Sequence, residues 1–150
     1  MKDWKSHNLP GLMGAIGPLL SKKSNGCWHY GLVITNIHLN AAGYIHGGTI
    51  TTLIDHALSA HGWQLMNKTP CITLQLNTNF IHSATIGDFL IVKPRLVRQT
   101  KTLLFLEAEV TANQVIVATA QAIFKCLPPK KPAATQSPYP TPASPPRQSQ

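Results

Sequence analysis

Between residues 72 and 125 the sequence reads as four successive β-strands joined by short links, and this is its most restrictive feature. The predicted strands, rich in apolar and β-branched residues, cover residues 72–80, 89–98, 103–111 and 115–125. Links this short make consecutive strands antiparallel neighbours. Upstream, apolar residues recur at helical spacing from Thr49 to about Asn67, which predicts one long helix. A single helix lying across a curved antiparallel sheet is an α+β architecture.

The first of these four strands has two faces of different polarity. Ile72, Leu74, Leu76 and Phe80 point to one side, and the alternate positions 73, 75, 77 and 79 are polar. Because one helix covers only one face of a sheet, the polar face is either wet or covered by a second subunit. Pro94, inside the next strand, favours a sheet edge or a bulge.

The residues before the helix predict one further strand and a docked leading segment. Residues 26–38 are aromatic and β-branched, which is typical of a strand. The apolar segment of residues 9–20 is short, is interrupted by proline and glycine, and lacks the layout of a secretory signal. No apolar run approaches the ~20 residues that span a bilayer. The three cysteines form no CxxC pair, which favours buried, reduced thiols, so we expect a cytoplasmic protein without a membrane span.

Residues 128–150 differ in composition from the rest of the chain. They hold eight of its twelve prolines and three basic residues, with no acidic residue. Such a segment cannot bury a core, so we predict a disordered, Pro-rich basic tail after one folded domain of residues 1–127. The whole chain carries +8, and residues 1–127 keep ten Lys and Arg against five acidic residues, or +5. This scattered excess suits a small anionic ligand and argues against nucleic acid.

The stretch GYIHGGTITTLIDHALSA, residues 43–60, joins two glycines, a helix start and one carboxylate. A helix N-terminus exposes unpaired N–H groups and carries partial positive charge. Glycine lets a ligand approach that backbone closely. The N–H of Gly47 can therefore stabilise a developing oxyanion, or Gly47 can be a cap residue with no ligand. Asp55, two turns further on, borders the apolar stripe and is either a solvated carboxylate or a catalytic one.

The sequence resembles the hotdog-fold thioesterases of the phenylacetate-pathway, or PaaI-like, type. The resemblance rests on HLNAAGYIHGGTITTLIDHALS and on four further segments: IGPL, TLQLNTNFIHSATIGD, VRQTKTLLFLEAEV and VATAQAIF. It runs from about residue 9 to residue 127. It implies a hotdog fold, in which an antiparallel sheet wraps around one long central helix. It also implies a homodimer or homotetramer that hydrolyses acyl-CoA at subunit interfaces, with CoA as part of the substrate and no separate cofactor.

The resemblance also implies roles for single residues. Asp55 would be the general base or the nucleophile, and Gly47 would donate its N–H to the oxyanion. The hydroxyl of Thr73 would orient the attacking water, and Asn40 would help to hold the substrate carbonyl or the water. His46 would orient the loop or hydrogen-bond the thioester. Structural alternatives stay open: Thr73 as a strand filler, Asn40 as a turn residue, and His46 as a purely structural side chain.

The nucleotide end of CoA carries phosphates, which lysine and arginine suit. Four residues are predicted to bind CoA: Arg95, Arg98, Lys101 and Gly48. The three cations could instead be solvated charges near a hairpin. Three side chains are candidate walls of the acyl pocket: Leu58, Trp63 and Phe80. His56 and His61 lie about 140° apart on the predicted helix, and no HExxH motif is present, so we predict no metal site.

Two other functions stay open. One is a hotdog protein that binds acyl-CoA with little turnover, although the carboxylate of Asp55 argues against it. The other is a hotdog dehydratase or hydratase, whose chemistry pairs a carboxylate with a catalytic histidine on a differently patterned helix.

Overall fold

A computed structural model describes residues 2–127 as one antiparallel sheet with a long helix lying across it. Within these residues the helices are α1 (Gly11–Ile16) and α2 (Gly47–Leu65), and a 3-10 helix covers Asn36–His38. The strands are β1 (Lys5–His7), β2 (Leu19–Ser24), β3 (Cys27–Val33), β4 (Cys71–Phe80), β5 (Phe89–Gln99), β6 (Leu103–Ala112) and β7 (Val115–Cys126). Their order across the sheet is β1-β2-β3-β5-β6-β7-β4, and neighbours pair antiparallel. The predicted α+β class is confirmed, and the predicted tail lies outside the described residues.

The core forms where the apolar stripe of α2 meets the inner face of the sheet. Four α2 side chains have no exposed surface: Leu53, Ile54, Ala57 and Leu58. Strands β3 to β7 all contact this helix, and Leu90, Val92 and Phe124 are equally buried on the sheet side. Since burial of each large apolar side chain is favourable by about 1.5–3 kcal/mol, this stripe fixes which helix face looks away from the sheet.

The hairpins follow from residues that tolerate positive φ. Asn113 and Gln114, with φ of 50° and 68°, form the two-residue link between β6 and β7. Asn25 and Gly26, with φ of 49° and 81°, form the link between β2 and β3. Such primed turns match the twist of antiparallel strands, and Asn-Gly is their strongest sequence signal. The sequence reading overlooked this signal and with it strand β2.

The predicted alternation of β4 holds over residues 75–80 but is wrong before them, because a bulge lies between Thr73 and Gln75. Thr73 pairs with buried Phe124, and beyond the bulge Leu76 pairs with buried Ala122. Side chains opposite each other across a ladder share a face, so odd positions before the bulge and even positions after it face the helix. The polar side chain of Thr73 thus shares the helix side with Leu76, and Ile72 is turned away from it.

The N-terminal part also differs from its prediction. The strand predicted over residues 26–38 ends at Val33, and the 3-10 helix Asn36–His38 follows it. The leading segment docks through α1, whose Met13 is buried, as its apolar composition predicts. Pro94 lies in an interior strand of the sheet and not at an edge. Because the β3–β5 ladder ends at Val92, the N–H that proline lacks is not needed for pairing with β3.

Two of the three cysteines face each other across neighbouring strands. Cys71 of β4 lies opposite Cys126 of β7, with 3.5 Å between the two Sγ atoms. All three thiols are free, and the predicted burial holds for Cys126 but not for Cys27, which is exposed. Of the helices in residues 2–127, neither combines the length and the apolar content needed to cross a membrane.

Candidate functional site

Helix α2 begins beneath the ring of His46, which caps it. The backbone of His46 is extended, and its Nδ1 accepts a hydrogen bond from the N–H of Gly48 at 2.8 Å. The carbonyl of the same residue accepts from the N–H of Thr49 at 2.9 Å. A single residue thus satisfies two of the N–H groups that a helix start leaves unpaired. The structural role considered for His46 is therefore present, and its predicted contact with a thioester stays a prediction.

The N–H of Gly47 is the first of the helix, and it makes no hydrogen bond with any residue in the range 2–127. The lack of a side chain there has a clear reason. A Cβ on Gly47 would lie 3.2 Å from Cζ of Phe80, and one on Gly48 would lie 2.9 Å from Nδ1 of His46. The two glycines therefore accommodate neighbouring side chains, and they leave one open donor beside the ring of Phe80.

The carboxylate of Asp55 is joined to strand β4. The hydroxyl of Thr73 donates a hydrogen bond to Oδ1 of Asp55 at 2.7 Å. Asp55 is half-buried and Thr73 is exposed, and the β4 bulge directs Thr73 toward the helix. Within the described chain the second oxygen, Oδ2, makes no hydrogen bond and so can accept a proton or a water. The structure places these two residues in direct contact, and the predicted role of Thr73 in orienting the attacking water stays a prediction.

Asn40 organises the loop before the helix. Its Oδ1 accepts from the N–H groups of Ala42 at 2.9 Å and of Tyr44 at 3.2 Å, which is the turn role considered for it. The backbone N–H of Asn40 also donates to the carbonyl of Tyr44 at 2.8 Å. Its side-chain amide nitrogen has no partner among residues 2–127, so it can still donate to a ligand.

The predicted catalytic residues form two groups in the single chain. Asn40, His46 and Gly47 lie at the start of α2, whereas Asp55 and Thr73 meet two turns further on. Asp55 lies eight positions after Gly47, which corresponds to about 12 Å along a helix axis. One thioester carbonyl cannot reach both groups of the same chain.

The predicted CoA-binding cations lie away from both groups. Arg95 is paired with Glu107 of the neighbouring strand. Since the adjacent Ala108 is buried against the helix side, this pair lies on the outer face of the sheet. Arg98 and Lys101 are exposed at the β5–β6 hairpin and make no side-chain hydrogen bond within residues 2–127. Their cationic groups are therefore available to an anion, whereas Arg95 already has a carboxylate partner.

His56 and His61 lie on the same helix as Asp55. Burial lowers the pKa of His56, an effect that the charge of Asp55 partly opposes, and burial alone lowers the pKa of His61. In the part of the chain that the structure describes, no three His, Cys, Asp or Glu side chains gather as a metal site would require.

The candidate pocket walls need one correction. Leu58 is fully buried in the core and cannot line a pocket, whereas Phe80 and Trp63 are 56% and 42% exposed. Two residues of interest escaped the sequence reading: His38, which is buried with both ring nitrogens bonded, and Thr78, whose hydroxyl is buried without a partner in residues 2–127. No local sequence signal marks either, because their surroundings come from distant segments.

Comparison with known proteins gives one family match. The Thioesterase superfamily matches residues 42–119, just over half of the chain. A Pseudomonas aeruginosa protein named provisionally as an esterase is 31% identical over 94 residues, which cover 62% of this chain and 70% of that protein. Human acyl-coenzyme A thioesterase 13 is 27% identical over 74 residues, or 49% of this chain and 53% of the relative. The chain thus spans about half the length of that relative.

Solved structures share the fold. A Streptococcus mutans protein bound to acetyl CoA has a TM-score of 0.61 and 26% identity, covering 66% of this chain and 79% of that one. A Ralstonia eutropha protein related to phenylacetic acid degradation has a TM-score of 0.70 and 25% identity, covering 78% and 90%. The match to the Escherichia coli PaaI protein, at 19% identity and a TM-score of 0.67, shows the fold alone.

Proposed function

This chain belongs to the thioesterase superfamily and has the hotdog fold of its PaaI-like members, and from that premise we propose that it hydrolyses acyl-CoA or aryl-acyl-CoA to the free acid and CoA. The observation that carries the proposal is the 2.7 Å hydrogen bond that holds the Asp55 carboxylate against the Thr73 hydroxyl. A carboxylate with one oxygen fixed and the other open is oriented for chemistry on a water or a carbonyl. The human acyl-CoA thioesterase and the acetyl-CoA-bound structure support this substrate class.

Asp55 acts on the thioester by one of two routes. As a general base, it takes a proton through Oδ2 from a water whose oxygen attacks the carbonyl carbon. As a nucleophile, it attacks that carbon directly, and water then hydrolyses the resulting anhydride. In both routes the C–S bond breaks and the CoA sulfur leaves as a thiolate, which takes up a proton. Thr73 fixes the rotamer of the carboxylate in either case.

Gly47 stabilises the oxygen on which charge develops. Its N–H is unpaired in the described chain and lies at the positive end of the α2 dipole. A donor of this kind, fixed before the reaction, typically contributes about 10²–10³ in turnover. Asn40 adds a second donor through its free side-chain amide, at the same end of the helix.

The complete site takes Gly47 from one chain and Asp55 from another. Within one chain these residues are about 12 Å apart along the helix, too far to serve one carbonyl. Strand β4 is an edge of the sheet and exposes Ile72, Leu74 and Phe80. An apolar edge of this length is an aggregation hazard unless another chain pairs with it. The protein therefore works as a homodimer or as a tetramer built from such dimers.

Arg98 and Lys101 bind the phosphates of CoA. Both are exposed near one hairpin, and neither is held by a carboxylate within residues 2–127. Gly48 is less suited to ligand binding, because its N–H is already bonded to His46.

Free-thiol release from a panel of aliphatic and aryl acyl-CoA substrates tests the activity. Asp55→Asn should lower kcat by about 10²–10⁴, the usual contribution of a positioned base, with KM nearly unchanged. Asp88→Asn is the matched control, since Asp88 also accepts from a threonine, Thr85, but lies in a turn. If the wild type releases no thiol, or if Asp55→Asn keeps full turnover, acyl-CoA binding without chemistry becomes the better description.

Sedimentation tests the shared site. The wild type should sediment as a dimer or tetramer at micromolar concentration. A fully active monomer would exclude a site shared between chains.

A further inference from the structure

The buried ring of His38, outside the predicted catalytic set, has a hydrogen-bond partner at each of its two nitrogens. It is 1% exposed, at the end of the 3-10 helix and eight residues before His46. Its Nδ1 accepts from the N–H of Thr35 at 2.9 Å, and its Nε2 lies 2.7 Å from the carbonyl oxygen of Ile16. A backbone N–H can only donate and a carbonyl can only accept, so the ring is neutral and carries its proton on Nε2. Both nitrogens therefore have fixed roles.

The backbone of His38 is hydrogen-bonded to the start of helix α2. Its carbonyl accepts from the N–H of His46 at 2.8 Å and from the hydroxyl of Thr49 at 3.3 Å. Between these residues, the loop is closed by a bridge from Leu39 to Ile45. The peptide that follows His46 bears the N–H of Gly47. The His38 carbonyl therefore fixes His46 through one hydrogen bond, and with it the direction of the open Gly47 N–H.

The anchor lies at the end of α1, a helix that also contacts α2. Ile16 is the last residue of α1, and its carbonyl is one of those that a helix end leaves without an intrahelical partner. The ring of His38 satisfies it across 22 positions of sequence. An apolar residue at position 38 would fill the space but would leave the part-buried donor of Thr35 and the part-buried acceptor of Ile16 without their partner.

We propose that His38 is a positioning residue, whose buried ring aims the Gly47 N–H at the thioester oxygen by fixing the carbonyl that holds His46. The proposal rests on the proposed thioesterase function. A small rotation of the donor is enough to matter, because an oxyanion donor acts only within hydrogen-bond distance of the charge that develops.

Two substitutions of His38 test its two ring hydrogen bonds separately. His38→Asn keeps an acceptor for Thr35 and loses the donor to Ile16, and His38→Gln keeps a donor and loses the local acceptor. Leu104→Ala is the control, because it opens the core beside Gly62, near the other end of α2. All three variants lower thermal stability. Only the two His38 variants should reduce kcat, by about tenfold or more, with KM within twofold.

Amide NMR spectra give a readout that does not depend on activity. In both His38 variants the Gly47 amide resonance should move, while those of Ala57 and Leu58 should stay in place. In Leu104→Ala the Gly47 amide should keep its wild-type position. An unmoved Gly47 amide in the His38 variants, or a loss confined to KM or shared by Leu104→Ala, would overturn the proposal. A wild type without hydrolytic activity would refute the proposed function, and the amide positions would still decide what His38 does.

Discussion

Replacement of Thr73 by valine removes one hydroxyl from the candidate site and little else. Valine has the shape of threonine and suits a strand equally well. The lost interaction is the 2.7 Å hydrogen bond from Thr73 to Oδ1 of Asp55. If that bond orients the catalytic carboxylate, turnover should suffer far more than folding.

The two effects can be estimated separately. A hydrogen bond to a charged group is worth about 1.5–3 kcal/mol when protected from water. Because Thr73 is exposed, water can replace most of this hydrogen bond in the variant. We therefore expect the free energy of unfolding to fall by about 0.5–1 kcal/mol and the thermal midpoint by about 2–4 °C. For turnover, a base that is no longer held should lose about 10–100-fold of its contribution, equivalent to ~1.4–2.7 kcal/mol of activation free energy.

Thiol release and thermal unfolding, measured on the same samples, separate these effects. Thr78→Val is the matched control: it is the same change on the helix side of the same strand, at a hydroxyl with no partner within residues 2–127. It should keep wild-type kcat and stability. Thr73→Ser should restore most of the turnover, because the hydroxyl returns. In an Asp55→Asn background, Thr73→Val should change kcat less than twofold, since no base is left to orient.

The reasoning fails if Thr73→Val keeps wild-type kcat, or if Thr78→Val loses as much. It also fails if the losses from Thr73→Val and Asp55→Asn multiply in the double variant, because two residues acting as one unit are not additive.

Three further predictions concern other parts of the molecule. Alanine at both Arg98 and Lys101 should raise KM for acyl-CoA and spare acyl thioesters that lack the nucleotide, and an equal effect on both substrates would assign these cations to structure. The Thr85 backbone N–H, and then the side chain of Asn113, lower the pKa of Asp88, so the stability that this carboxylate contributes is present above its unfolded pKa of about 4 and is lost below it. The gap in thermal midpoint between wild type and Asp88→Asn should therefore close as pH falls from 7 to 2.5. Burial, aided by Cys126, raises the pKa of the Cys71 thiol to about 12, so at pH 8 native protein should be alkylated at exposed Cys27 and not at Cys71, as read by mass spectrometry.

Much of the fold could be predicted where local pattern and tertiary burial agree. Strands β5, β6 and β7 each begin at the predicted residue, because their apolar residues and tight hairpins specify pairing locally. Helix α2 runs over Gly47–Leu65 against a prediction of residues 49 to about 67. The two-residue shift at its start reflects the cap: His46 supplies both a side-chain and a backbone acceptor, so the helix can begin at the glycines.

The rest depends on contacts that no sequence window contains. The β4 bulge exists only in the pairing of β4 with β7, some fifty residues apart, and it decides that Thr73 faces Asp55. The ring of His38 meets a carbonyl 22 positions away. The contact of Phe80 with Gly47 likewise joins the end of a strand to the start of a helix. The family resemblance could therefore name the catalytic candidates, but the sequence could not name the neighbours that orient them.

The hydrogen bonds at the start of α2 also indicate which kind of ligand group could bind there. A helix N-terminus with several free N–H groups suits a phosphate, which has several oxygens to satisfy. Here the second N–H, of Gly48, is bonded to the His46 ring, and the third, of Thr49, is bonded to the His46 carbonyl. The N–H of Gly47 is left as one open donor, and the ring of Phe80 lies on the side of Gly47 where a Cβ would be. One donor beside an apolar ring matches a single carbonyl oxygen with an acyl group next to it. The cap on this helix thus favours a carbonyl oxygen over a phosphate at the same position, which agrees with our proposal that the phosphates of CoA bind to cations elsewhere.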